Sequence, residues 1–136
     1  MGKSWQQKYE NGKSPQVKVV DKRFADIEPG EKMLISTPKV IDQYIRSIPS
    51  GHHTSLKTMR NDLALEQQAD KTCPVTTGIF LRIVAEKAHE EWVNGTPLKD
   101  ITPFWRVIDR SAPITKKLSF DYDFIAEQRS REGLPA

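Results

Sequence analysis

Cys73 is the only cysteine in the chain, so any thiol nucleophile must be this residue. It precedes Pro74 at what reads as a helix start, where free N–H groups and the helix dipole favour the thiolate that attacks. No histidine adjoins it in sequence, and a structural cap or a small buried hydrophobe is the plain alternative. His52, His53 and His89 complete the set of soft metal donors. Their spacings match no zinc signature, and neither metal nor cofactor is expected. A grip on phosphate needs cations and short hydroxyls instead. Lys57, Arg60, Arg110, Lys116 and Lys117 are the candidate phosphate contacts, and Thr54, Ser55, Thr76 and Thr77 could meet backbone or base edges. The competing explanations are solvated surface for the cations and helix capping for the hydroxyls.

These residues need elements to carry them. Thr72 or Cys73 caps, and Pro74 opens, a long helix ending near Asn94-Gly95. Val75, Ile79 and Ile83 form one i+4 row, and Phe80, Val84, Ala88 and Trp92 another, so a broad apolar stripe is expected to face a core. Thr76, Thr77 and Gly78 leave the first turn small and polar. Ser36 or Thr37 caps an earlier helix over 38–48, and Thr54 or Ser55 caps one over 55–66. The last two helices form a helix-turn-helix with a long turn of polar residues 67–72. Gln16–Val20 and Met33–Ile35 have strand character, and Phe124–Arg131 reads as a final helix. Phe104–Asp109 and Ile114–Leu118 read as two strands after the helix pair, a wing. Residues 99–117 hold five Lys or Arg against two Asp, net +3, whereas residues 83–98 are net −2.

The chain's 136 residues suit one core. Its 37% hydrophobic and 29% charged content points to polar ends, and a net charge of +3 permits a nucleic-acid partner without demanding one. One cysteine and no apolar run of membrane length lead to the expectation of a cytoplasmic protein with no membrane partner.

Ile48-Pro49-Ser50-Gly51-His52-His53-Thr54-Ser55 resembles the Ile-Pro-x-Gly-x-Val-Thr-Thr opening of the DNA-binding domain in methylguanine DNA methyltransferases and alkyltransferase-like proteins. Pro103-Phe104-Trp105-Arg106-Val107 resembles that family's Pro-Cys-His-Arg-Val strand. Val75-Thr76-Thr77-Gly78 falls where the family has its Arg-Ala-Val-Gly recognition helix. The similarity spans residues 36–118 and is nearest to a divergent branch with a Cys-Pro-x-Thr-Thr-Gly-Ile-Phe helix start. It implies a mainly α fold with a small β wing, a winged helix-turn-helix-like domain over 36–118, between an N-terminal arm (1–35) and a C-terminal tail with a short helix (119–136). The family's acceptor cysteine corresponds to Phe104 and its activating histidine to Trp105, so alkyl transfer at this strand lacks both groups. The arginine that replaces a flipped base corresponds to Val75, and the phosphate-rotating tyrosine to Leu56. Phe104, Trp105 and Arg106 are expected to line the former alkyl pocket.

The expected function is therefore non-catalytic DNA binding, dominated by phosphate contacts, on plain or alkylated duplex. Two alternatives stay open: a protein-interaction module using the basic wing or the acidic aromatic tail, and an alkyl-transfer enzyme using Cys73.

Overall fold

Ser4 closes a capping box: its hydroxyl accepts the Gln7 N–H, and the Gln7 side chain accepts the Ser4 N–H. That box starts α1 (Trp5–Tyr9) in the computed structural model, which describes residues 2–135. The chain then forms β1 (Gln16–Val19) and β2 (Lys32–Ile35), paired antiparallel with Val17 opposite Leu34. Ile27 and Leu34 are fully buried. The N-terminal arm (1–35), with the strand character expected at 16–20 and 33–35, thus contributes Ile27 and Leu34 to the core.

Thr37 caps α2 (Pro38–Arg46) by accepting the Val40 N–H, and Ser55 caps α3 (Leu56–Glu66) by accepting the Thr58 N–H. Residues 67–72, expected to be a polar turn, contain β3 (Lys71–Thr72) instead. It runs parallel to β2 and makes the sheet order β1-β2-β3. The Cys73 N–H donates to the Leu34 carbonyl and fixes the start of α4 (Pro74–Val93). The molecule is mainly α with this small three-stranded sheet, which lies before α4 in sequence.

The two strands expected after α4 are absent. Phe104–Arg106 and Pro113–Lys116 are 3-10 turns. Period-2 alternation fails here because Ile101 through Trp105 are all buried, as are Val107 and Ile108. A segment passing through a core has no solvent face to alternate with. Phe104 and Trp105 pack in an aromatic cluster with His89, Trp92, Phe120 and Phe124, in which His89 stacks on Phe120 at 3.9 Å between centroids.

The final helix, α5 (Asp123–Arg131), matches the reading of the sequence closely. Residues 119–135 are nevertheless more than a tail. Ile125 is fully buried, and Arg129 is only 1% exposed. Arg129 donates to the carbonyls of Trp105 and Ile108. The Glu132 carboxylate accepts from Trp105 Nε1, from the Arg106 guanidinium and from the Gly51 N–H. The Arg106 and Trp105 partners hold Glu132 below the usual carboxylate range, against the opposing effect of its burial, which is the largest influence on it.

Glu132→Ala would leave the Arg106 guanidinium and the Trp105 indole without their acceptor. Urea unfolding should show a loss of about 3 kcal/mol. Burial among aromatic rings holds the His89 imidazole below the usual histidine range, with Glu86 pulling weakly the other way. The unfolded chain takes up this proton near pH 6.5, the folded chain only at lower pH. His89 therefore supports the fold fully above about pH 6.5, and this support drains away as pH falls through the folded value. Melting temperatures measured from pH 7 to pH 5 should fall less for His89→Phe than for the parent chain.

Candidate functional site

The face of α4 that meets the core differs from the expected stripe. Thr77, Leu81, Val84, Ala85 and Ala88 point inward. Val75 and Ile79, expected in the core row, are 55% and 53% exposed. The first half of α4 therefore shows solvent an apolar ridge. Together with Pro74, Gly78 and Ile83 it makes the floor of a groove of about 640 Å³. Leu56 of α3 lies on one wall, Pro113 and Ile114 of the last 3-10 turn on another, and Trp5 of α1 on a third. The ionisable side chains lining this groove are Lys8, Arg60, Arg82 and Lys117, all cationic.

Gly78 sits within this floor. A Cβ built there meets nothing within 4 Å. Glycine in a helix interior costs roughly 1 kcal/mol relative to alanine, and here neither packing nor an unusual backbone conformation calls for it.

The groove brings together some of the candidate residues and leaves out others. Lys117 is exposed at its rim, and Lys116 and Lys57 are exposed as well. Arg60 lines the groove but is engaged elsewhere. Its guanidinium donates twice to the Thr72 carbonyl and pairs with both Asp26 oxygens, at 3.1 and 2.9 Å. Its role is to tie α3 to β3 and to the loop before β2. Arg110 lies over the Tyr122 ring, 4.7 Å from its centroid. Thr77 is buried and donates its hydroxyl to the Cys73 carbonyl. The Thr76 hydroxyl oxygen is buried and has no hydrogen-bond partner among the described residues. Ser55 is used as the cap of α3, and the Thr54 N–H donates to the Arg106 carbonyl.

The three residues expected to line the former alkyl pocket are divided between core and cleft. Phe104 is sealed at 0% exposure. Trp105 and Arg106 line a different cleft of about 470 Å³ with Arg46, Lys99 and Glu132, where the charge of Arg106 is already matched by Glu132 at 2.9 Å. Cys73 is 4% exposed and makes no side-chain cap bond. His89 is stacked among aromatic rings, and the His53 Nδ1 lies 3.5 Å from Arg129. Among the described residues no group of three His, Cys, Asp or Glu side chains converges as a metal site would require. None of the described helices is long and apolar enough to cross a membrane.

No family model, no curated protein and no solved structure matches this chain.

Sequence reasoning missed Trp5, Lys8 and Arg82 at the groove. Arg82 was legible in principle, lying one turn after Gly78 on the same helix face. Trp5 and Lys8 were not, because α1 reaches α4 only through tertiary contact. The acidic aromatic tail, considered as a docking surface, has its Phe120 and Phe124 rings inside the cluster around Phe104.

Burial of Cys73 sets an expectation for thiol chemistry. Iodoacetamide followed by mass spectrometry should label Cys73 slowly in the native chain and fully in denaturant. Rapid native labelling would restore Cys73 as a candidate nucleophile.

Proposed function

We propose that the protein binds DNA without catalysing a reaction on it, on a divergent form of the alkyltransferase-like winged helix-turn-helix scaffold. In this reading α3 and α4 are the helix pair. The 3-10 turn over Pro113–Lys116, followed by Lys117, takes the place of a wing.

Gly78 is the observation that carries the proposal. A helical glycine with open space where its side chain would stand is wasteful for folding, yet useful where a ligand approaches the helix backbone closely. Thr77 and Gly78 are small, and the groove they line is apolar with cations at its edge. That combination suits a ligand with flat apolar surfaces and a polyanionic backbone. Alkyl transfer draws no support from the arrangement: Phe104 and Trp105 occupy the thiol and imidazole positions, and Cys73 is buried away from any macromolecular substrate.

Electrostatics set the scale of binding. Lys8, Lys117 and the nearby Lys57 and Lys116 are unmatched by carboxylates among the described residues, whereas Arg60 and Arg106 have acidic partners. Roughly three to four phosphate contacts would give a log–log salt slope of about −3 on duplex DNA. Gly78→Ala separates folding from binding. It should leave stability unchanged or raise it by roughly 1 kcal/mol, and it should weaken DNA binding in low-salt fluorescence anisotropy. A variant that binds as well as the parent, or affinity that persists at about 0.5 M salt, would contradict the proposal.

A further inference from the structure

We infer that the N-terminal helix α1 belongs to the binding site and selects unpaired nucleic acid, with Trp5 as the platform on which an exposed base stacks. This rests on the nucleic-acid reading above and adds to it an element, a residue and a form of ligand.

α1 buries none of its residues completely, yet it is firmly placed. Its far end is anchored. The Tyr9 hydroxyl donates to the nearly buried Asp42, and Lys39 pairs with Glu10 at 2.6 Å. The capping box fixes its near end and brings Trp5 to the groove, where the indole forms part of the wall. Two cations lie over that ring, Lys8 Nζ at 4.5 Å and Arg82 Cζ at 5.3 Å from the centroid. Lys8 has no carboxylate partner among the described residues, and the buried Arg82 Nε has no hydrogen bond and stands 3.7 Å from Glu86.

An indole left half-buried beside two cations contributes little to a core, but its flat apolar face is well suited to a nucleobase. A base sliding onto the ring displaces Lys8, whose ammonium then meets the flanking phosphate, so the charge that now rests on the ring is transferred to the ligand backbone.

The form of the ligand follows from the walls. Trp5 stands on one side of the α4 floor and Pro113 and Ile114 on others, enclosing a volume within the range of small-ligand sites. A volume of about 640 Å³ has room for roughly one or two nucleotides. Paired bases hide their faces in the stack, so only an unpaired base offers Trp5 a surface. Because the ionisable lining residues are all cationic, and Lys8 and Lys117 have no carboxylate partner among the described residues, the groove complements a phosphodiester backbone.

The test uses the full chain and fluorescein-labelled mixed-sequence oligonucleotides of equal length, single-stranded and duplex, in low-salt anisotropy titrations. Single strands should bind more tightly than duplex. Trp5→Ala should lower single-strand affinity about tenfold and change duplex affinity by less than about twofold, and Trp5→Phe should restore most of the loss. Thermal melting checks that Trp5→Ala folds; should it not, Trp5→Phe and Lys8→Ala are compared in its place, the first retaining and the second weakening single-strand binding. Single-strand affinity untouched by Trp5→Ala, equal losses on both DNA forms, or a duplex preference in the parent chain would overturn the inference. The effect of Gly78→Ala on duplex binding would then still decide the broader proposal. If the parent chain binds neither form, both fall together.

Discussion

A guanidinium almost closed off from water holds the irregular middle of this molecule in place. Residues 101–108 run through the core with only one 3-10 turn to absorb part of their backbone polar groups, and the remaining buried carbonyls must find donors. Arg129 supplies them, donating to Trp105 and Ile108 from its position on α5. Glu132, one turn on, accepts from the side chains of Trp105 and Arg106 and from the Gly51 N–H. Arg106 in turn donates to the Ile48 carbonyl. The loop before α3, the central segment and the C-terminus are thus joined through three charged side chains. Removing Glu132 or Arg106 leaves the other without its ion partner, and removing Arg129 leaves the Trp105 and Ile108 carbonyls without this donor.

This lock relieves α4 of part of its task. The aromatic cluster and the 101–108 segment pack against its inner face and its C-terminal half, where Val84, Ala85 and Ala88 are buried and His89 meets Phe120. Its N-terminal half is fixed independently, by the Cys73 N–H to the Leu34 carbonyl and by the Arg60–Thr72 bonds behind it. The outer side of the first turns is consequently not required for stability. Val75, Gly78 and Ile79 can face a groove there without weakening the core.

The helices were legible in the sequence because their boundaries rest on local chemistry. Thr37 before Pro38, Ser55 ahead of Leu56, and Pro74 as a first helical residue act within one turn, and the observed limits follow them. The strand reading of 104–109 failed because Phe-Trp-Arg-Val-Ile satisfies β propensity while all of it but Arg106 is buried, with no alternating solvent face, a fact decided by tertiary packing and not by the segment itself. β3 was invisible because two residues carry no periodicity; only their pairing with Met33 and Leu34 makes them a strand. At the site, the small first turn of α4 was readable, and so was Lys117. The face that Val75 and Ile79 occupy was not, since an i+4 row says that two residues share a side but not which side is wet.

The redistribution of charge is the deepest difference between the sequence and the folded chain. A count over residues 99–117 gives a net +3, but counting treats every arginine as available. Folding commits Arg106 to Glu132, Arg60 to Asp26 and Thr72, and lays Arg110 against Tyr122. What remains exposed are mainly lysines, with shorter-lived and less directional contacts than an arginine fork. A surface of this kind attracts a polyanion without fixing its register. On the proposed reading, selectivity comes from the apolar part of the groove, from the bare backbone at Gly78 and from the indole of Trp5, where shape and stacking, being short-range, distinguish one ligand from another in a way that net charge cannot.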